Sequence, residues 1–518
     1  MPVDETNFED ALKLDLPRGH DRPARSIGRD RVVTSRWMAA DEMDGPDWTS
    51  SSGILLGRRA GRIISWNDDR HLLTIAGSRA GKGVSLIIPN LIHYEGSAVV
   101  IDPKGENAAR TARRRGKGTD GVPGLNQAVH VLDPFGESGL PTASFNPLDK
   151  LDPNDPAVVE QLGVFADALI IHPERSDRHW TESAQAVIRA LVLAVLADPR
   201  FANRRNLITV RQLLALTDPS IADAQEVPGS EDLLAPDQAL IRILMAQTDT
   251  PYGYICIGIA QQLASMGEKE RGSILSTGRT QTQWLDSPRM AAVLQSSDLD
   301  MADLKNKRVT VYLCLPASYM ALNAPWLRLI VLLALNAMER TKIKPEIPVL
   351  FVLDEFPVLR YMESIETAAG LMAGFGVKLW TIMQNLGQLK RHYKDSWETF
   401  IANSGVVTAF GVSDSETLKA LSETIGHSSI MARTDSNASR DAMLQGAAPF
   451  QDQRRDVPLL APHELRIAFG RGTQRILIGG AESNFAVARR FTYYDDAHFK
   501  SEDGKPLYDP DPNYMVTP

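Results

Sequence analysis

The sequence predicts an α/β protein whose mainly parallel sheet is interrupted by an all-helical block. Three observations predict it. Between positions 71 and 133, short apolar runs alternate with helical stretches of about ten residues, the pattern of parallel strands joined by right-handed crossovers. From about 157 to 279, apolar residues recur at helical spacing with no convincing run of β-branched residues. Strand-like runs then resume at 308–313, 349–353, 377–382, 405–410 and 474–478, so the helical block splits the sheet in sequence.

Each element has its own warrant. Residues 1–50 are polar and weakly periodic and read as an arm. The glycine-punctuated stretch 53–64 reads as a hairpin. Buried strands are expected at 71–76, 97–102 and 128–133, with helices from about Lys82 to His93 and from Glu106. Within the block, the periodic stretches are 158–171, 184–197, 210–216 and 240–275. The polar stretch 428–456 reads as an exposed loop, and the acidic segment after Tyr494 as a loosely packed tail.

Composition bounds the function. A chain of 518 residues has room for about three and a half domains and a large core. With 56 Lys and Arg against 64 Asp and Glu, the formal charge is −8. That excludes a globally basic nucleic-acid binder but leaves room for a local basic channel. The two cysteines, Cys256 and Cys314, make neither a metal knuckle nor a disulfide framework, and point to a reducing cytosol. The first thirty residues carry charges of both signs and no export signal. The longest unbroken apolar runs, 190–197 and 329–335, are too short to span a bilayer and fit buried helices.

The chemistry centres on Ala76-Gly77-Ser78-Arg79-Ala80-Gly81-Lys82-Gly83-Val84, between an expected strand and an expected helix. This is the context of a P-loop. Small residues let backbone N–H groups face phosphates, the helix N-terminus adds positive potential, and the lysine reaches the β- and γ-phosphates. The match is imperfect: Ala76 holds the first glycine position, and Gly83 stands where a Ser or Thr normally meets Mg²⁺. Ser85 is two helix residues further on, roughly 200° around the helix, and is a poor substitute. Downstream, the apolar run 347–353 ends in Asp354 and Glu355. An acid at such a strand end holds the Mg²⁺ shell, and a following Glu polarises water. Gln384 ends another strand and is placed to sense the γ-phosphate. Together these point to an ATPase; a glycine turn and solvated strand-end acids are the plain alternative.

Further segments add a resemblance. TSRW (34–37), GILLG (53–57), AGSRAGKGVSLIIPNL (76–91), SAVVIDPKGEN (97–107), HVLDPFG (130–136), SFNPLD (144–149), LDEFPVLRYMES (353–364), TIMQNLGQLKRHY (381–393) and PLLAPHEL (458–465), with a closing Tyr493-Tyr494, occur in this order. The set, from about 33 to 498, resembles type IV secretion coupling proteins, the conjugative DNA-transfer ATPases. The resemblance implies a RecA-like domain at 51–156 and 280–498, an inserted all-α domain at 157–279, and flanking segments 1–50 and 499–518. It implies a homo-hexameric, ATP- and Mg²⁺-dependent motor that delivers a relaxase–DNA complex or secreted proteins to a type IV secretion channel. It assigns Lys82 as the P-loop lysine among Gly77–Val84, Asp354 as the metal residue, Glu355 as catalytic base and Gln384 as sensor. Members usually begin with transmembrane helices. This sequence starts almost directly at the soluble part, so the expectation is a cytoplasmic protein, peripheral at the inner membrane through a separate membrane partner. A nucleotide-controlled recruitment hub and a soluble DNA-translocating ATPase are the competing readings.

Weaker signals remain. Arg110, Arg113, Arg114, Arg115 and Lys117 read as a solvated helix end, or as DNA-phosphate contacts. Arg271 and Arg279 read as surface residues, or as fingers toward a neighbouring subunit's nucleotide. Gly370 and Gly374 read as close helix packing.

Overall fold

The computed structural model describes residues 35–39, 41–119, 121–172, 178–228, 230–435, 450–480 and 483–510. The strands are β1 (Ile54–Arg59), β2 (Arg62–Trp66), β3 (His71–Ala76), β4 (Ala98–Asp102), β5 (Ala128–Leu132), β6 (Val309–Cys314) and β7 (Val349–Leu353). They continue with β8 (Val377–Met383), β9 (Ser404–Phe410), β10 (His427–Asp435), β11 (Phe450–Pro458), β12 (Arg475–Gly480) and β13 (Ser483–Arg489). The chain forms two compact units, residues 1–95 with 378–507 and residues 96–377 with 508–518.

The first unit is built from both ends of the chain. Its strands run in the order β2, β1, β13, β12, β9, β3, β8. The centre is parallel: β3 lies between β9 and β8, with Leu73 opposite Val407 and Thr381. Beyond β9 the pairing turns antiparallel through β12, β13, β1 and β2. β3 is buried along its whole length, as expected of an apolar run covered on both faces. Helix α1 (Gly83–His93) opens with a wide, π-type turn over its first five residues. Its buried Asn90 accepts the Leu55 N–H at 2.7 Å and donates to the Leu55 carbonyl at 2.9 Å. The register of β1 shifts between Leu55 and Gly57, and the amide supplies the hydrogen bonds a neighbouring strand would otherwise give there.

In the second unit β7, β4, β6 and β5 form a wholly parallel sheet. α2 (Glu106–Arg115) follows β4. The helical block is α3 (Val158–Leu169), α4 (His179–Ala197), α5 (Leu207–Ala215), α6 (Pro219–Gln225), α7 (Pro236–Met245), α8 (Gly253–Ser265) and α9 (Glu268–Gln281). Helix α10 (Ala324–Arg340) packs on α3 and carries the apolar run 329–335 into the core. α4 is long and apolar enough to cross a membrane by length and composition alone. It is mostly buried among α3, α5, α8 and α9, because its apolar positions cover more than one face.

Several expectations need correction. The stretch 428–456 is not simply a loop: β10 and β11 pair along nine positions as an antiparallel ribbon, and 436–449 between them lie outside the described residues. Its strands carry no apolar alternation, so periodicity gave no signal. β13 was not expected at all. The first 34 residues of the polar arm lie outside the described residues, but the rest packs into the first unit. Trp37 bridges to Phe485, and buried Trp48 meets Trp66 edge-on at 4.7 Å. The tail is held as far as residue 510: Asp509 pairs with Arg113, and Arg110 donates to the Pro510 carbonyl at 2.6 Å. The basic run at the end of α2 is therefore only partly solvated: Arg113 and Lys117 are exposed, whereas Arg110 and Arg115 are buried. Arg115 is fully buried and donates to the Gly96 carbonyl at 2.6 Å and to Gln127 at 3.0 Å. A side chain at Gly370 or Gly374 would meet nothing within 4 Å, so neither marks close helix packing.

Candidate nucleotide site

In the first unit the loop after β3 is shaped by close approach. A Cβ on Gly77 would sit 2.0 Å from the Gly411 carbonyl oxygen, and one on Gly411 would sit 2.4 Å from Ala80 Cβ. Only glycine passes at either position. The Gly77 N–H donates to the Phe410 carbonyl at 3.2 Å, tying the loop to the end of β9, and Ala80 N–H closes a turn onto the Gly77 carbonyl at 3.1 Å. Arg79 and Gly81 have φ of 55° and 89°. Positive φ at two loop residues ahead of right-handed Lys82 is the kind of backbone alternation from which anion nests at helix heads are built. The Ser85 N–H bonds to the Gly81 carbonyl at 2.8 Å and starts α1. Ser78 and Arg79 are exposed, Ala80 is buried, and Lys82, Gly83 and Val84 are half-buried. A Cβ on Gly83 would meet nothing within 4 Å, so space for a side chain exists where the Ser or Thr hydroxyl is missing. Ser85 is buried. Gln384 follows the Met383–Ile75 pair and so sits level with Ala76, at the same sheet end as the loop. It is not the cap of the next helix, α11 (Leu386–Tyr393); Asn385 is, accepting the Gln388 N–H at 3.0 Å.

The acids belong to the second unit. β7 is buried throughout and is followed directly by Asp354, which is 6% exposed; Asp354 Oδ1 accepts the Glu355 N–H at 2.9 Å. Glu355 has φ 53° and ψ 42°, a left-handed conformation that a non-glycine residue adopts at a cost of about 1–3 kcal/mol. The neighbouring parallel strand places Asp102 beside Asp354. The Asp102 carboxylate accepts the Ala108 N–H at 2.9 Å and holds the first turn of α2. Burial pushes its pKa up to about 7, against the pull of those backbone N–H groups, and the charge of Asp354 adds to the rise. Among the described residues no cluster of three or more His, Cys, Asp or Glu side chains could hold a metal. The single buried carboxylate of Asp354 is a donor of the kind Mg²⁺ takes, one or two carboxylates with phosphate and water oxygens.

Sequence reasoning missed a buried arginine below the acids. Arg328, on α10 and 2% exposed, donates through Nη1 to the Leu359 carbonyl at 2.6 Å and the Tyr361 carbonyl at 2.8 Å. These flank Arg360, whose φ of 55° and ψ of −157° fall near a region that is essentially glycine's. Its other nitrogens reach the Ala168 carbonyl at 3.2 Å and the Asp167 carbonyl at 3.1 Å, at the end of α3. The helical block is thereby tied to the turn that follows Asp354 and Glu355. Arg271 and Arg279 are engaged inside that block, with Asp237 at 2.6 Å and the Leu214 carbonyl at 2.7 Å. The structure thus groups the P-loop and Gln384 in one unit, and Asp354 and Glu355 in the other.

Residues 36–510 match the model of the family described as Type IV secretory system Conjugative DNA transfer. The chain belongs to this family. Among relatives, the type IV secretion system-coupling protein VirD4 of Bartonella quintana is 27% identical over 431 residues, covering 81% of this chain and 62% of the relative. The conjugal transfer protein TraG of Escherichia coli is 28% identical over 445 residues, covering 80% and 65%. The chain thus spans less than two thirds of the length of these relatives. The plasmid coupling protein TrwB, solved with the ATP analogue ADPNP, superposes with a TM-score of 0.61 at 13% identity, over 90% of this chain and 96% of that one. TrwB solved with ADP and Mg²⁺ gives 0.57 at 14% identity, over 89% and 94%. At such identities the likeness shows the fold: the coupling-protein fold, a RecA-like P-loop architecture.

Proposed function

We propose that this chain is an ATP-hydrolysing coupling motor that recruits DNA–protein or protein substrates and delivers them to a type IV secretion channel. The observation that carries the proposal is the joint presence of a glycine-shaped loop at the head of α1 and a buried Asp354, followed by half-buried Glu355, at the end of a parallel strand, in a chain of this family. In this reading the N–H groups of residues 77–84 hold the phosphates and Lys82 reaches the β- and γ-phosphates. Asp354 anchors the magnesium shell. Glu355 accepts the proton of the attacking water, and Gln384 contacts the γ-phosphate. Magnesium, when bound, neutralises charge on the phosphate oxygens. The 157–279 block faces the substrate, the active form is a homo-hexamer, and a membrane partner brings the protein to the inner membrane. Residues 1–30, proposed to meet that partner, lie outside the described residues.

Steady-state ATPase rate, with and without single-stranded DNA, measured alongside mass in solution, tests the reading. The expected result is DNA-stimulated turnover that rises more steeply than linearly with protein concentration as the mass moves toward a hexamer. Slow, unstimulated turnover would instead favour a recruitment hub. A linear rate with constant monomer mass would remove the ring.

A further inference from the structure

A buried arginine also stands against the phosphate loop. Arg490 follows β13, near the end of the described chain, and is 4% exposed. One of its terminal nitrogens donates to the Ala80 carbonyl, and the other to the Arg471 carbonyl at 2.9 Å. Its guanidinium lies 4.6 Å from the centre of the Phe410 ring, at the end of the strand that meets Gly77. Nε is buried and has no hydrogen-bond partner among the described residues. Such a group is costly to bury, since an unpaired N–H loses water without replacement. Burial pulls the guanidinium down to about 10, which still leaves it charged near neutrality. A general packing position would be met more cheaply by an apolar side chain, so the Ala80 contact needs a reason.

Resting on the reading of residues 77–84 as the phosphate site, we infer that Arg490 is a positioning residue for the loop, fixing the orientation of the Ala80–Gly81 peptide. A trans peptide is planar, and its C=O and N–H point in opposite directions. Pinning the Ala80 oxygen to Arg490 therefore turns the Gly81 N–H away from Arg490. Gly81 allows this because its φ of 89° is open only to glycine without strain. Without the clamp the peptide is free to rotate and present its oxygen to the phosphates, which repels them. A lysine would give one donor but no planar face for Phe410 and no second fixed direction toward Arg471. The clamp also keeps a positive charge behind the loop, where little water screens it.

The test compares Arg490→Met, which keeps the volume, and Arg490→Lys, which keeps one donor, with the parent and Lys82→Ala. Affinities for AMP, ADP and ATP with Mg²⁺ are read by calorimetry on the full chain. Arg490→Met should lose about tenfold for ADP and ATP, equivalent to about 1.4 kcal/mol, and little for AMP, whose phosphate does not span the nest. Arg490→Lys should recover part of that loss. A general packing defect would lower the melting temperature without grading the loss by phosphate number. A folded Arg490→Met that binds ADP and ATP like the parent overturns the inference, while loss in Lys82→Ala keeps the P-loop reading standing. Parent affinity that is the same for all three nucleotides and insensitive to Lys82→Ala overturns that reading and the inference with it. Should Arg490→Met not fold, Arg490→Lys decides: a partial loss for ADP and ATP with AMP little changed is the expected result, and parent affinity for ATP, or a uniform loss across the three nucleotides, overturns the inference.

Discussion

The two loops that carry the candidate chemistry are held in opposite ways. Around the P-loop, most of the difficult geometry is given to glycine: Gly81 and Gly411 are left-handed, and Gly77 and Gly411 allow contacts no Cβ would survive. After β7, Glu355 and Arg360 occupy left-handed backbone without that freedom, and Arg328 pins the carbonyls on either side of Arg360. A binding loop has to offer main-chain N–H groups and needs no side chains for it. If Glu355 is the proposed base, glycine cannot stand there, and the loop carries strain over the buried charge of Arg328.

The sharpest way to break the contrast is to separate binding from turnover. Glu355→Gln should lower the ATPase rate about 10²–10⁴-fold while ADP affinity stays within about twofold of the parent. Lys82→Ala should do the reverse, weakening affinity first. Loss of nucleotide binding in Glu355→Gln would mean that the acid loop does not act in chemistry alone. Next in size, Arg328→Met should destabilise the second unit by about 3–5 kcal/mol, since several carbonyls lose a charged donor. Hydrogen exchange should quicken together at 166–169 and 359–361; if only one segment responds, Arg328 does not couple the helical block to the acid turn.

Gly411→Ala tests the glycine half of the comparison. With φ at 63° and Ala80 Cβ 2.4 Å away, the methyl should cost about 1–3 kcal/mol and weaken ADP binding. Parent-like stability by urea titration would show that the loop yields easily. Arg360→Gly tests the strained half with the opposite sign: it should stabilise the second unit by about 1 kcal/mol or less, because glycine adopts this backbone freely. A destabilised variant would mean that the Arg360 side chain contributes more than its strain removes. Smallest of all, Gly83→Ser enters open space and should change stability by less than about 1 kcal/mol. If the added hydroxyl meets the metal, half-saturating Mg²⁺ for ADP binding should fall; an unchanged Mg²⁺ dependence would place that side chain elsewhere.

Much of the frame was legible. β3, β7 and β8 are apolar runs whose neighbours on both faces demand such residues, and the strand–loop–helix order around Lys82 is written in consecutive positions. The ribbon of β10 and β11 was illegible because it has no apolar alternation to betray it. The roles of Gly411, Arg328 and Arg490 were illegible for a different reason. Gly411 looks like any turn glycine until the Gly77–Ala80 turn arrives against it. Arg328 and Arg490 look like ordinary charges until carbonyls from distant segments surround them, as Ala168 and Leu359 do for one and Ala80 and Arg471 for the other. Likewise, nothing in the motif order divided Lys82 and Asp354 between two compact units.

Arg490 follows Ala80 by 410 positions. A ribosome adding about 5–20 residues each second needs about 20–80 s to cover that distance. Through that interval the nascent chain displays residues 76–84 but lacks the arginine whose side chain meets the Ala80 carbonyl. β12, which borders the strand meeting Gly77, and β13, which borders β12, also emerge late. If Arg490 is the inferred clamp, nucleotide capture waits for the close of translation, and a chain cut short before residue 490 keeps the loop's full signature without it. In the proposed homo-hexamer, an unfinished copy would then be a poor competitor for nucleotide.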